Sequence, residues 1–77
     1  MIFIPSRGRR KSLERFFRES IPEYEGRVLI DEDDIDTYLD VVLPEGWSFE
    51  AGERVGAAKT LNRGFIAHPN EPWYAVV

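Results

Sequence analysis

Apolar residues fall along this chain in short runs set between charged stretches, and each run predicts one element. Met1 to Pro5 reads as a first strand, ended by Pro5 because proline cannot donate to a sheet ladder. Ser6-Arg7-Gly8-Arg9-Arg10 is a turn. From Lys11 to Glu19 the period changes: Leu13, Phe16, Phe17 and Ser20 make an i, i+3, i+4, i+7 stripe, which predicts a helix stopped by Ile21-Pro22. Arg27 to Ile30 brings three adjacent apolar residues, two of them β-branched, and predicts a second strand covered on both faces.

Beyond four acids, Ile35 to Asp40 predicts a short helix with Ile35, Tyr38 and Leu39 facing inward. Val41-Val42-Leu43 predicts a third, short strand ended by Pro44-Glu45-Gly46, and Trp47 to Gly52 a loop with Trp47 and Phe49 buried. Arg54 to Ala67 is the second clear helix, with Val55, Ala58, Leu61, Phe65 and Ile66 on one face. Its Gly56 and Gly64 mark close approach or termination. A turn over Pro69-Asn70-Glu71-Pro72 leads to a fourth strand, Trp73 to Val77; either that strand lies at a sheet edge or this chain is the front portion of a larger architecture. The order β-α-β-(α)-β-α-β predicts an α/β fold with a small, mainly parallel sheet and flanking helices. Trp47, Phe49, Trp73 and Tyr74 are expected in its core rather than on a stacking platform.

With 77 residues the chain predicts a single small domain, 1–77, and 43% apolar content suits a packed core rather than a disordered segment. No cysteine is present, which removes disulfide, zinc-thiolate and thiol chemistry and fits a cytoplasmic location. No apolar run is long enough for a signal peptide or membrane span. The net charge of −4 conceals a marked asymmetry. Residues 1–18 carry six basic groups against Glu14, +5; residues 19–53 carry twelve acids against Arg27, −11; residues 54–77 carry three basic groups against Glu71, +2. A basic lip beside an acidic one suits a ligand with anionic and polar ends, and the overall sign disfavours nucleic acid.

Two segments carry the candidate chemistry, and a third joins them. Pro5-Ser6-Arg7-Gly8-Arg9-Arg10 leads from strand to helix, so it reads either as backbone N–H groups and arginines offered to an anion or as an ordinary solvated basic turn. It lacks the glycine spacing of a Walker loop. Asp31-Glu32-Asp33-Asp34 ends a buried strand, where α/β proteins hold ligands; it reads as a ligand contact, a loose divalent-ion site or caps for the next helix. An EF-hand is excluded, because its sixth position would be Asp36 and its twelfth Val42. Gly56-Ala57-Ala58-Lys59-Thr60-Leu61-Asn62-Arg63-Gly64 either approaches a ligand closely or packs through its alanines with a basic solvent face. His68, the single histidine, has no serine or cysteine in triad spacing and reads as a helix C-terminal cation or surface residue.

These segments together resemble the N-terminal half of a GT-A-fold glycosyltransferase, in the nucleotide-diphospho-sugar transferase superfamily with its family-2-like and phage-encoded members. The resemblance rests on Ile4-Pro5-Ser6-Arg7-Gly8-Arg9, Ile30-Asp31-Glu32-Asp33-Asp34, the Gly56–Gly64 segment and Trp73-Tyr74-Ala75-Val76-Val77, in that order. It implies a Rossmann-like half-domain in which Pro5, Ser6, Arg7 and Arg9 hold the nucleoside and Asp31 or Asp33 contacts base or ribose. Lys59 and Asn62 would stand near the nucleotide, with Gly56 and Gly64 as packing glycines. The family's metal-binding Asp-x-Asp follows the strand matching Trp73–Val77, so the resemblance implies no metal or other cofactor in this chain. Manganese or magnesium is expected only with a downstream Asp-x-Asp.

The leading expectation is therefore the nucleotide-diphospho-sugar-binding part of a glycosyltransferase-like protein, without the acceptor half and incomplete for catalysis as it stands. The alternative is a small phage-derived, non-enzymatic binding module that offers charged lips or an open sheet edge to a protein partner or a second copy.

Overall fold

The computed structural model describes residues 1–20 and 23–77. The expected helix stop at Ile21-Pro22 lies outside the described residues. The elements run β1 (Ile2–Pro5), α1 (Arg10–Glu19), β2 (Gly26–Asp31), a single 3-10 turn (Glu32–Asp34), α2 (Ile35–Tyr38), β3 (Trp47–Gly52), α3 (Ala57–Ala67) and β4 (Ala75–Val76). The strands form one sheet in the order β3-β2-β1-β4, every pair parallel. The expected small parallel α/β sheet is present. It is compatible with a Rossmann-like half-domain.

Side-chain alternation along the central strands divides the core between the two sheet faces. Ile4, Val28, Ile30 and Trp47 pack on one face with Leu13 of α1 and Tyr38 of α2. Phe3 and Leu29 point the other way, where Leu61 and Phe65 of α3 and Tyr74 close over them. The Phe3 ring stacks on Tyr74 at 5.6 Å and meets Phe65 edge-on at 5.5 Å. β2, flanked by β1 and β3, is therefore apolar on both faces, as its unbroken Val28-Leu29-Ile30 run requires. Among the described residues no helix is long and apolar enough to cross a membrane.

The third strand differs from the expectation. Val41-Val42-Leu43 is loop: Val41 and Leu43 tuck beneath the first core layer, while Val42 is 91% exposed. The ladder forms six residues later instead, where Trp47 to Gly52 pairs with Gly26 to Asp31 along its full length. There Trp47 is buried, Ser48 exposed and Phe49 half-buried, a period of two. Gly26 opens β2 because the Trp47 ring lies across it; a Cβ at Gly26 would stand 2.3 Å from that ring.

Four further expectations are corrected. α3 begins at Ala57, not Arg54, because Gly56 at φ 89° stands in the left-handed region and breaks any helix entering from Arg54-Val55. Its packed face is Thr60, Leu61, Gly64 and Phe65, whereas Ala58 and Ile66 are exposed. Of the residues assigned inward in the second short helix only Tyr38 is buried, Leu39 being 72% exposed. Trp73 precedes the two-residue β4 and is exposed, meeting Tyr24 edge-on at 4.9 Å rather than entering the core.

Candidate functional site

An open cleft of about 630 Å³ lies over the carboxyl ends of β1 and β2 and against the start of α3. Its walls are the first turn (Pro5 to Arg9), Leu29 and Asp31 of β2, and Arg54, Gly56, Ala57 and Thr60. The chain winds from β1 through β2 to β3 on one side and then crosses under α3 to β4 on the other. Ligand clefts of open α/β sheets form beside such a reversal, outside the carboxyl ends of the strands.

The first turn and the acids meet through Arg7. Its Nη1 donates to Asp31 Oδ2 at 2.9 Å and Asp33 Oδ1 at 2.7 Å, and its Nη2 donates to Asp33 Oδ2 at 3.2 Å. The fork on Asp33 pulls that carboxyl below the usual carboxylate range, chiefly through the Arg7 hydrogen bonds, and raises the guanidinium above its ordinary value. Arg54 stands 4.0 Å from Asp33 and adds a weaker, exposed attraction. Asp31 is buried at the end of β2 and receives Arg7 on one oxygen only.

Three amides of the turn are already taken. Ser6 N donates to Leu29 O at 2.9 Å, Gly8 N to Asp34 Oδ2 at 2.7 Å and Arg9 N to Tyr38 Oη at 3.2 Å. Gly8 reaches Asp34 from the left-handed region, φ 59°, a conformation that favours glycine. Asp34 also accepts from the Thr37 hydroxyl at 2.6 Å; this bond first, then the Gly8 amide, lowers its carboxyl below the ordinary value. Asp34 precedes α2, but its side chain caps no α2 amide. Of the amides this turn could offer an anion, that of Gly8 is thus engaged by a carboxylate of the chain itself, and those of Ser6 and Arg9 by Leu29 O and Tyr38 Oη.

Tyr38 is the residue that pattern reading missed. Its buried hydroxyl bonds Ser6 Oγ at 2.6 Å and accepts from Arg9 N, so one side chain of α2 grips the turn on either side of Arg7-Gly8. Its place among apolar neighbours suggested core; the tyrosine oxygen was the only signal that it does more. Arg63 performs a second tie, reaching Ile30 O and Glu53 O at 3.2 Å each and crossing Gly52 so closely that a Cβ there would lie 2.1 Å from its guanidinium. His68, following α3, is half-buried with its Nε2 on Glu50 of β3 and its ring 5.9 Å from Phe3.

Five of the expected residues line the cleft: Pro5, Ser6, Arg7, Arg9 and Asp31. Asp33 joins them through Arg7. Lys59 and Asn62 are exposed on α3 and are not part of its lining, which on that helix is Gly56, Ala57 and Thr60. Among the described residues no group of three His, Cys, Asp or Glu side chains is placed to share a metal ion. A scan against protein-family models, a search of curated proteins and a search of solved structures each find no match to this chain.

Proposed function

We propose that this chain binds a nucleotide diphospho-sugar, as the nucleotide-holding part of a glycosyltransferase-like protein. The observation that carries the reading is the pairing of Asp31 with Arg7 in a cleft at the carboxyl ends of β1 and β2. A carboxylate has about four acceptor sites, and Arg7 engages one Asp31 oxygen, so the other remains for a ribose hydroxyl or a base N–H. Arg7 fixes the orientation of that acid. Pro5 and Ser6 line the cleft beside it, Ser6 held by Tyr38. The residues of this cleft bind and orient; no step of sugar transfer is assigned to them.

Titration of the isotopically labelled protein with UDP, GDP and their sugars, with and without magnesium, tests the proposal by NMR. Saturable shifts at Ser6, Arg7, Asp31 and Asp33 are expected. No response at millimolar ligand would sink it. A non-enzymatic binding module is the second reading, favoured by β4, which pairs only with β1 and leaves Val76 exposed at the sheet edge. Self-association in sedimentation, with no nucleotide response, is the outcome that selects it.

A further inference from the structure

An anionic ligand in this cleft needs donors, and the first turn has few left: among the described residues, the Arg7 amide and the Arg9 guanidinium. The amides of Ser6, Gly8 and Arg9 are bonded within the chain, and Arg7 is held by two carboxylates. The opposite wall is different. Thr60 N donates to Gly56 O as the first bond of α3, so the amides of Ala57, Ala58 and Lys59 have no acceptor inside the helix. No side chain caps them, and no acid stands in the first turn of this eleven-residue helix. Gly56 and Ala57 bring this uncapped end onto the cleft.

Thr60 provides a second, independent observation. It is only 5% exposed, yet it lines the cleft, and no described residue hydrogen-bonds its hydroxyl. Among the described residues no fully enclosed side-chain oxygen or nitrogen lacks a partner. The Thr60 hydroxyl must therefore keep an opening, and the cleft is the space it borders. Arg54 lies on the same wall, and among the described residues its one ion-pair contact is the 4.0 Å approach to Asp33. The lining as a whole carries Arg7, Arg9 and Arg54 against Asp31, a surplus of positive charge in a chain of net charge −4.

We propose that the start of α3 is the phosphate-holding end of the cleft, with the Ala57 and Ala58 amides, the Thr60 hydroxyl and the Arg54 guanidinium as donors. The helix dipole and free amides favour an anion there, and Arg54 adds a charge-assisted bond. This rests on the reading that the cleft is the ligand site, and it assigns the ligand's direction: phosphate toward α3, hydroxyl-bearing part toward Asp31.

The test uses inorganic phosphate, uridine and UDP on the labelled full chain, followed by amide shifts. Phosphate should give saturable shifts centred on residues 57–60. Arg54→Gln and Thr60→Val should each weaken phosphate binding roughly fivefold to tenfold. Ala57→Glu should abolish the response without lowering the melting temperature, because a carboxylate at a helix start suits the dipole while it repels phosphate. Phosphate shifts centred on Ser6 to Arg9, or none at 57–60 up to tens of millimolar, would overturn the assignment. So would unchanged affinity in folded Arg54→Gln and Thr60→Val. UDP binding with no response at 57–60 removes this inference and leaves the nucleotide reading standing. Phosphate at 57–60 with silent uridine and UDP does the reverse.

Discussion

Replacing Tyr38 with phenylalanine should damage the first turn more than the loss of one oxygen suggests. The ring stays, so the core facing Ile4, Val28 and Ile30 keeps its volume. What goes is the partner of Ser6 Oγ at 2.6 Å and of Arg9 N at 3.2 Å. Ser6 is buried, so its hydroxyl loses its partner where little water can replace it. A buried polar group stranded in this way costs about 1–3 kcal/mol, against about 0.5–1.5 kcal/mol for an ordinary hydrogen bond. For a domain of this size that range lowers the melting temperature by roughly 5–20 °C. Urea unfolding of the wild type, Tyr38→Phe, Ser6→Ala and the double variant measures it. Removing both hydroxyls strands neither of them, while Arg9 N loses its acceptor equally in Tyr38→Phe and in the double variant, so the double variant should be about 1 kcal/mol or more stabler than the summed singles imply. Single effects that simply add, within about 0.5 kcal/mol, would refute the claim that the Ser6–Tyr38 bond couples α2 to the turn.

The two crowded glycines should respond differently to alanine. Gly26→Ala drives a methyl against the Trp47 ring, which Phe17 and a bond from its Nε1 to Tyr24 O hold in place, so a loss of about 1–3 kcal/mol in urea unfolding is expected. Gly52→Ala meets the far end of a flexible side chain, Arg63, which can move aside at the loss of its bonds to Ile30 O and Glu53 O, so it should cost less than Gly26→Ala; equal losses would refute the distinction. Acid should act through Asp34, whose carboxyl lies below its ordinary value when folded. Its contribution to stability is complete above the unfolded-state value of about 4 and is lost as pH falls through the lower folded one. Asp34→Asn should therefore flatten the fall in melting temperature below about pH 4, and an unaltered acid profile would exclude Asp34 as a source of it.

Much of the fold was legible because local pattern and tertiary packing agree. The Leu13, Phe16, Phe17 stripe and the unbroken Val28-Leu29-Ile30 run each fit one element and one environment. The third strand was misplaced where two signals competed. Val41-Val42-Leu43 has the stronger β-propensity, but Trp47-Ser48-Phe49 has the alternation that a half-covered strand needs, and pairing with β2 decided for it. The acidic side of the cleft could be located, since strand-end acids and a glycine-bearing turn are readable at their positions. Which oxygen bonds which amide could not be. Asp34 filling the turn, Tyr38 gripping it and Thr60 facing the cleft each depend on contacts between segments distant in sequence. The glycine at φ 89° carried a usable signal for the late start of α3, because Gly56 stands directly before two alanines.

The sheet order has a consequence for how the molecule breathes. β2 is clamped between β1 and β3 over six paired residues on the β3 side, whereas β4 is joined to the sheet through two. Amides of β2 should exchange with solvent only on global unfolding, while α3 and β4 can lift away as one segment and leave the β1–β2–β3 ladder intact. One wall of the cleft belongs to that looser segment and the other to the protected one. A ligand that bridges the walls would fasten the segment down. Slowed deuterium uptake in α3 and β4, far from most of the contacted atoms, would then be the broadest footprint of binding.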